Sequence, residues 1–263
     1  MIYLYLYNKK YKYKMRIQYA SDLHIDYIEK QEDIDNLIQP SDSDILVLAG
    51  DIGSLYKYNQ LKNFISKLNN KYKVIFYIPG NHEFYTIKDI EPLPLKILFG
   101  RLYQLEKHIP NLYILNRSSV KIKNYCFIGS ILWSYIPEDK IYPYFRVRIK
   151  DFNKFLYNKH NYQDIMYINN MIEICQKEKL IPIIITHYPP SYKCLNKKNE
   201  KDKYQYLYGN NLDDTLKYVP YWICGHVHWN FQLKINNCLV LANQNGRKYD
   251  NITDYSPTCV INV

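Results

Sequence analysis

Asp44-Ile45-Leu46-Val47-Leu48-Ala49-Gly50-Asp51-Ile52-Gly53 sets the architecture of this chain. Ile45 to Ala49 is an unbroken apolar run, too short for a helix and too apolar for a half-exposed strand. It reads as a strand buried on both faces, inside a sheet covered on each side. The run ends in Gly50, a carboxylate and Gly53, so Asp51 is placed at a strand end where the backbone can turn sharply into a crevice. A lone Gly-Asp pair usually caps a turn. Here the surroundings argue otherwise.

Four further fragments place metal-binding groups at strand ends: Asp22-Leu23-His24, Gly80-Asn81-His82-Glu83, Thr186-His187 and Gly225-His226-Val227-His228. The chain has seven histidines, and only His108 and His160 lie outside these fragments. In an extended segment residues i and i+2 share a side, so Asp22 and His24 can grip one ion. Asn81 and His82 are adjacent and point apart. The candidates number two carboxylates, one amide and four or five imidazoles, too many for one tetrahedral ion and suited to two ions with a shared ligand. Two divalent ions about 3.5 Å apart repel by about 20 kcal/mol at an effective dielectric of about 20, so the shared ligand must be an anion. Asp51 is the best placed. Two ions, two carboxylates and a bridging hydroxide leave a charge of roughly +1, which seats a phosphoryl group.

Around these fragments the chain alternates strands and helices. Arg16 to Ala20, Ile45 to Ala49 and Val74 to Ile78 read as strands. Tyr58 to Asn70 presents Leu61, Phe64, Ile65 and Leu68 at helical spacing. A second helix is expected from Leu95 to Leu105, and a third with Asn161 as its N-cap and Ile165, Ile168, Ile172 and Cys175 on its apolar face. Short strands follow from Leu112, Val120 and Tyr125, then Ile183 to Ile185, Tyr221 to Cys224, Phe231 to Ile235, Leu239 to Ala242 and Thr258 to Val263. This is the strand–helix–strand grammar of a sheet flanked by helices. Residues 1–14 mix Tyr, Leu and Lys without pattern. They read as an N-terminal extension, disordered or a weak edge strand, before a single domain over 15–263.

The chain has 263 residues, 47% of them hydrophobic, as expected for a globular protein with a substantial core. Its net charge of +10 permits an anionic substrate, but the lysines are spread along the sequence and read mainly as solvated surface. The exception is the polar connection Ser191 to Leu212, with Lys193, Lys197, Lys198, Lys201 and Lys203, which is read equally as a functional or a disordered loop. The six cysteines form no C-x-x-C and read as reduced thiols of an intracellular, soluble, cytoplasmic protein. No apolar run reaches the roughly 18 residues of a membrane span. No G-x-S-x-G, Walker A or G-x-G-x-x-G motif occurs, and Thr86 stands where H-E-x-x-H needs its second histidine.

Taken in order, the five fragments resemble the signature blocks of the calcineurin-like metallophosphoesterases, over essentially everything from Met15 onward. Leu132-Trp133-Ser134 and the run from Gly80 to Tyr85 are similar to small stand-alone members of that family. The resemblance implies a four-layer α/β/β/α sandwich of two mixed sheets. It implies that Asp22, His24, Asp51 and His228 hold one divalent ion and that Asp51, Asn81, His187 and His226 hold the other. His82 would protonate the leaving oxygen, a role that suits an imidazole. The ligand types accept Mn, Fe, Zn or Ni. Many members read G-D-x-x-D, whereas Ser54 stands at the second acid here, which leaves the implied ligands intact. Asp26 reads as surface.

The expected function is therefore two-metal hydrolysis of a phosphomonoester or phosphodiester, with a nucleotide or other small phosphoester as substrate. A nuclease is the alternative within that chemistry, disfavoured because no arginine-rich stripe or nucleic-acid module is present. A non-catalytic scaffold is the alternative outside it, and the complete ligand set argues against that.

Overall fold

The computed structural model describes residues 2–4, 15–140, 149–196 and 203–263. Among these, twelve strands form two mixed sheets. The smaller sheet has the order β12-β2-β3-β4-β5, where β2 is Arg16–Ala20, β3 Ile45–Ala49, β4 Val74–Ile78, β5 Leu112–Ile114 and β12 Val260–Asn262. Its strands run parallel except for β12, which lies antiparallel along β2. The larger sheet has the order β1-β6-β7-β8-β9-β11-β10. Its members are β1 Ile2–Leu4, β6 Ser118–Ile122, β7 Tyr125–Ser130, β8 Ile181–Thr186, β9 Tyr221–Ile223, β10 Phe231–Ile235 and β11 Cys238–Ala242.

Alternation along the buried strands builds the layers. Ile45, Val47 and Ala49 of β3 and Phe76 and Ile78 of β4 face inward onto Phe127, Ile183, Ile185, Ile223 and Leu241 of the other sheet. Leu46, Leu48, Ile75 and Tyr77 point the other way, against α2 (Tyr58–Asn69) and α3 (Leu95–His108). On the far side, Cys126, Ile128, Ile184 and Trp222 pack against Ile168, Met171, Ile172 and Cys175 of α4 (Lys154–Glu178). The result is the expected four-layer α/β/β/α sandwich. Strands β3 and β4 are apolar on both faces because each face is covered.

Two details differ from expectation. The long helix is not capped by Asn161. It starts at Lys154, and the Asn153 side chain accepts the Leu156 amide at 3.0 Å. Asn161 lies two turns inside and buried, donating to the Trp133 carbonyl and to Asn210 Oδ1. Its stripe-mates Tyr157 and Asp164 are also buried, so polar residues occupy the core-facing line where periodicity looks for apolar ones. A short helix, α1 (Gln31–Asn36), was not expected from its composition; Ile34 is its buried residue. Within the segment 1–14, Ile2–Leu4 form an edge strand parallel to β6, and residues 5–14 lie outside the described residues. No helix among the described residues is long and apolar enough to cross a membrane.

Candidate metal centre

The site forms where the parallel strands of both sheets end. Strand β2 hands over to Asp22 and His24, β3 to Asp51, β4 to Asn81 and His82, β8 to His187, and β9 to His226 and His228. The two sheets meet there: His187 Nδ1 donates to the Ala49 carbonyl at 3.0 Å, so the end of β8 is fastened to the end of β3. Five of these residues, Asp22, His24, Asp51, His226 and His228, have positive φ between 48° and 74°. Such conformations are costly for residues with a Cβ and are held only by dense surroundings. Gly50, at φ +89°, leaves the room this requires. A Cβ there would lie 2.4 Å from His187 Nδ1, and one on Gly80 would lie 2.2 Å from Asp51 Oδ1.

All the residues singled out in the sequence come together, as two groups of converging donors that share Asp51. One comprises Asp22, His24, Asp51 and His228, the other Asp51, His187 and His226, with ligand atoms within 4.8 Å of one another in each. Asn81 joins the second group, its Oδ1 lying 3.0 Å from His187 Nε2. Asp51 divides its oxygens: Oδ1 is 3.3 Å from His187 Nε2, and Oδ2 is 3.9 Å from His24 Nε2. His82 stands beside both groups. Its amide donates to Asp51 Oδ1 at 2.8 Å, and its ring packs on His24 and Tyr85.

The donors fit divalent cations. His24 Nε2 and His228 Nε2 face each other at 3.3 Å, as do His226 Nδ1 and His187 Nε2. One proton can serve only one nitrogen of each pair, whereas a cation accepts both lone pairs. His24 Nδ1 is buried without a hydrogen-bond partner. The outer nitrogens of the others are committed: His228 Nδ1 to Asp250 Oδ2 at 2.7 Å and His226 Nε2 to the Leu207 carbonyl at 3.3 Å. That orients the remaining nitrogen inward.

The electrostatics follow the same pairing. Burial opposes charge on His228, but Asp22 and Asp250 outweigh it and push the imidazole up to about 10. Burial likewise opposes charge on His187, and Asp51 pushes it up to about 9. Their partners move the other way, His24 down to about 4 by burial and His226 down to about 3 by burial and the neighbouring His187. Asp22, though buried, is held down to about 2 by His228 and His187. In each group the carboxylates thus raise one imidazole while burial lowers the other.

Sequence reasoning missed three supports. Glu83 is fully buried and accepts from the amides of Asp51, Ile52, Gly53 and Gly80 and from the Tyr77 hydroxyl. Its place next to His82 was visible, but not its task. Asp250 orients His228, and Arg247 contacts the His82 ring through Nη2. Both follow the last recognised block, in a stretch with no periodic signal. Asp26, expected at the surface, is half-buried, with Oδ1 enclosed and unpartnered. Of the lysine-bearing connection, Lys193 pairs with Asp213 at 2.8 Å, while Lys197, Lys198 and Lys201 lie outside the described residues.

The sequence model of the calcineurin-like phosphoesterases matches residues 15–230. The chain belongs to that family. It is thus a metal-dependent phosphoester hydrolase by membership, and the clustered Asp and His side chains are its candidate metal ligands. An uncharacterized protein of Acanthamoeba polyphaga mimivirus is 29% identical over 285 residues, covering 95% of this chain and 97% of that protein. Among solved structures, the phosphopantetheinyl hydrolase of Mycobacterium tuberculosis shares the fold at a TM-score of 0.66 and 13% identity, over 91% of this chain and 92% of its own. A dimetal phosphatase of Danio rerio shares it at 0.56 and 12% identity, over 88% and 87%.

Proposed function

We propose that this member hydrolyses small phosphorylated molecules with two divalent ions, one held by Asp22, His24, Asp51 and His228 and the other by Asp51, Asn81, His187 and His226. The observation that carries the reading is the division of the Asp51 carboxylate, with Oδ1 toward His187 at 3.3 Å and Oδ2 toward His24 at 3.9 Å. Two ions bound there would offset the charge of a phosphoryl group and supply a nucleophile at neutral pH.

The chain's own residues do the rest. Asp51, the carboxylate common to both donor groups, would lower the repulsion between the ions as an anion. Asp22 is fixed for its role by Ser21 Oγ at 2.6 Å and by the His226 amide. Glu83 fixes the loop that presents Asp51. His82 has no place in either donor group, and it lies at the rim next to both. It serves the leaving oxygen, which becomes basic as its bond to phosphorus breaks. Burial and the neighbouring cationic groups hold the free imidazole well below its ordinary value. An arriving phosphate anion favours its protonated form, which is the form that can donate.

The test is a substrate panel on metal-reconstituted protein: aryl phosphate, aryl phosphodiester, nucleotides, cyclic nucleotides and single-stranded nucleic acid. Metal-dependent turnover of small phosphoesters is the expected result. Turnover confined to the nucleic acid would make the protein a nuclease, and none at all would leave only a scaffold.

A further inference from the structure

Arg247 is a cation in the site that feels the Asp51 charge only through space. It is half-buried, and among the described residues no carboxylate forms an ion pair with its guanidinium. Nη2 is spent on the His82 ring, against Nε2 and 3.3 Å from Nδ1, and Nη1 on the Tyr249 hydroxyl. Its Nε is buried and has no hydrogen-bond partner. A guanidinium can only donate, and a neutral imidazole accepts from it without neutralising its charge. Burying part of such a group without a contacting carboxylate is unfavourable.

The surroundings nevertheless hold it there. Gly246 donates its amide to the Asp22 carbonyl at 2.9 Å, and the Arg247 amide donates to Asp250 Oδ2 at 2.7 Å. The same Asp250 oxygen holds His228 at 2.7 Å. The backbone of Arg247 is therefore tied to a neighbour of one donor group on either side. The rings of Tyr27 and Tyr249, 5.5 and 5.6 Å from the guanidinium carbon, add cation–π contacts that keep it over the site.

We propose that Arg247 is a substrate-binding residue that takes a terminal oxygen of the phosphoryl group and so directs the site to phosphomonoesters over phosphodiesters. The inference rests on the phosphoester-hydrolase reading above. A monoester carries three terminal oxygens on phosphorus and a diester only two. A pair of ions can neutralise two of them, and the third needs a further cation with donors. The guanidinium fork meets that need through Nη2, which can exchange its neutral imidazole partner for a phosphoryl oxygen. In a diester the third position is a neutral ester oxygen, which gains little from the fork.

The experiment compares wild type, Arg247→Met and Arg247→Lys on an aryl phosphate and the matching aryl alkyl phosphodiester. Inorganic phosphate binding is measured by calorimetry on the same proteins, with and without added metal. Arg247→Met is expected to lower kcat/KM for the monoester roughly 10- to 100-fold, the worth of a charge-assisted hydrogen bond. The diester, which loses only the contact of Arg247 to His82, should fall clearly less, phosphate binding should weaken by a similar factor, and the metal should stay. Arg247→Lys should fall between, because it keeps the charge without the fork. Equal losses on both esters, unchanged phosphate affinity or loss of metal would each overturn the proposal, the last by making Arg247 a support for Asp250. If wild type cleaves neither ester, the hydrolase reading fails, while the phosphate titration still decides Arg247: weaker binding in Arg247→Met supports it, and equal or absent binding in both proteins overturns it.

Discussion

The Glu83 carboxylate accepts the backbone amide of Asp51 at 3.0 Å, so one buried acid holds the turn that carries the other. Its two oxygens take five donors, four amides and the Tyr77 hydroxyl. Two acids this close are costly: burial and the Asp51 charge push Glu83 up to about 7. The donors offset that cost, and an amide side chain could not, because its NH2 would face N–H groups. Glu83→Gln should lose about 2–3 kcal/mol of stability. In a chain of this size that is ~5–10 °C of Tm. Thermal unfolding of the metal-free variant measures it, and an unchanged Tm would mean that the turn stands without Glu83.

Asn81 and His82 are neighbours to which the proposal gives different tasks, so their variants should fail differently. Asn81→Ala removes a donor of the second group and should weaken metal binding there, with partial rescue by added metal. His82→Ala keeps the amide that bonds Asp51 Oδ1 and should keep its metal. Its turnover should fall roughly 10²- to 10⁴-fold, the range of a positioned acid. The loss should shrink for a nitrophenolate leaving group, which needs little protonation. Loss of metal in His82→Ala would reassign it as a ligand.

Metal binding should depend on pH with a definite sign. In the metal-free protein His187 and His228 stay protonated up to about 9 and about 10, and a metal ion must displace those protons. Apparent affinity should therefore rise with pH between 6 and 9, with proton release on binding. The two imidazolium ions also stabilise the metal-free fold. Their folded pKa values lie above the ordinary one, so this stability is full below about 6.5 and is lost as pH rises through 9 to 10. Calorimetry in buffers of different ionisation heat counts the protons. An affinity flat across this range would contradict the donor assignment.

Asp250 fixes the tautomer of His228 through the 2.7 Å contact to Nδ1. Asp250→Asn should weaken metal binding roughly 10- to 100-fold, as expected when the partner of a ligating histidine is lost. Competition with a chelator of known affinity gives the number, and wild-type affinity would show that the ring needs no such partner.

What the sequence made legible were the features written as contiguous patterns. Ile45–Ala49 and Val74–Ile78 are apolar without interruption because both faces are covered, so the strands and the residues at their ends stood out together. Asn161 misled because a residue type that caps helices also serves inside one when Trp133 and Asn210 offer partners. Arg247 and Asp250 were invisible for another reason. Each is a single polar residue in or beside one 3-10 turn, Lys248–Asp250, brought to the site where Gln244 to Gly246 return onto Ser21 and Asp22. Contacts made by folding back across the whole chain leave no local period to read.

Asp51 carries the central claim, since one carboxylate facing two donor groups is what calls for two ions. The direct measurement is metal content per chain, by atomic emission, of wild type and Asp51→Asn reconstituted under the same conditions, alongside turnover. Two ions in wild type are predicted. Asp51→Asn should retain one at most and lose turnover, because the neutral amide no longer offsets repulsion between the ions. Two ions retained in Asp51→Asn with near-normal turnover would contradict the account.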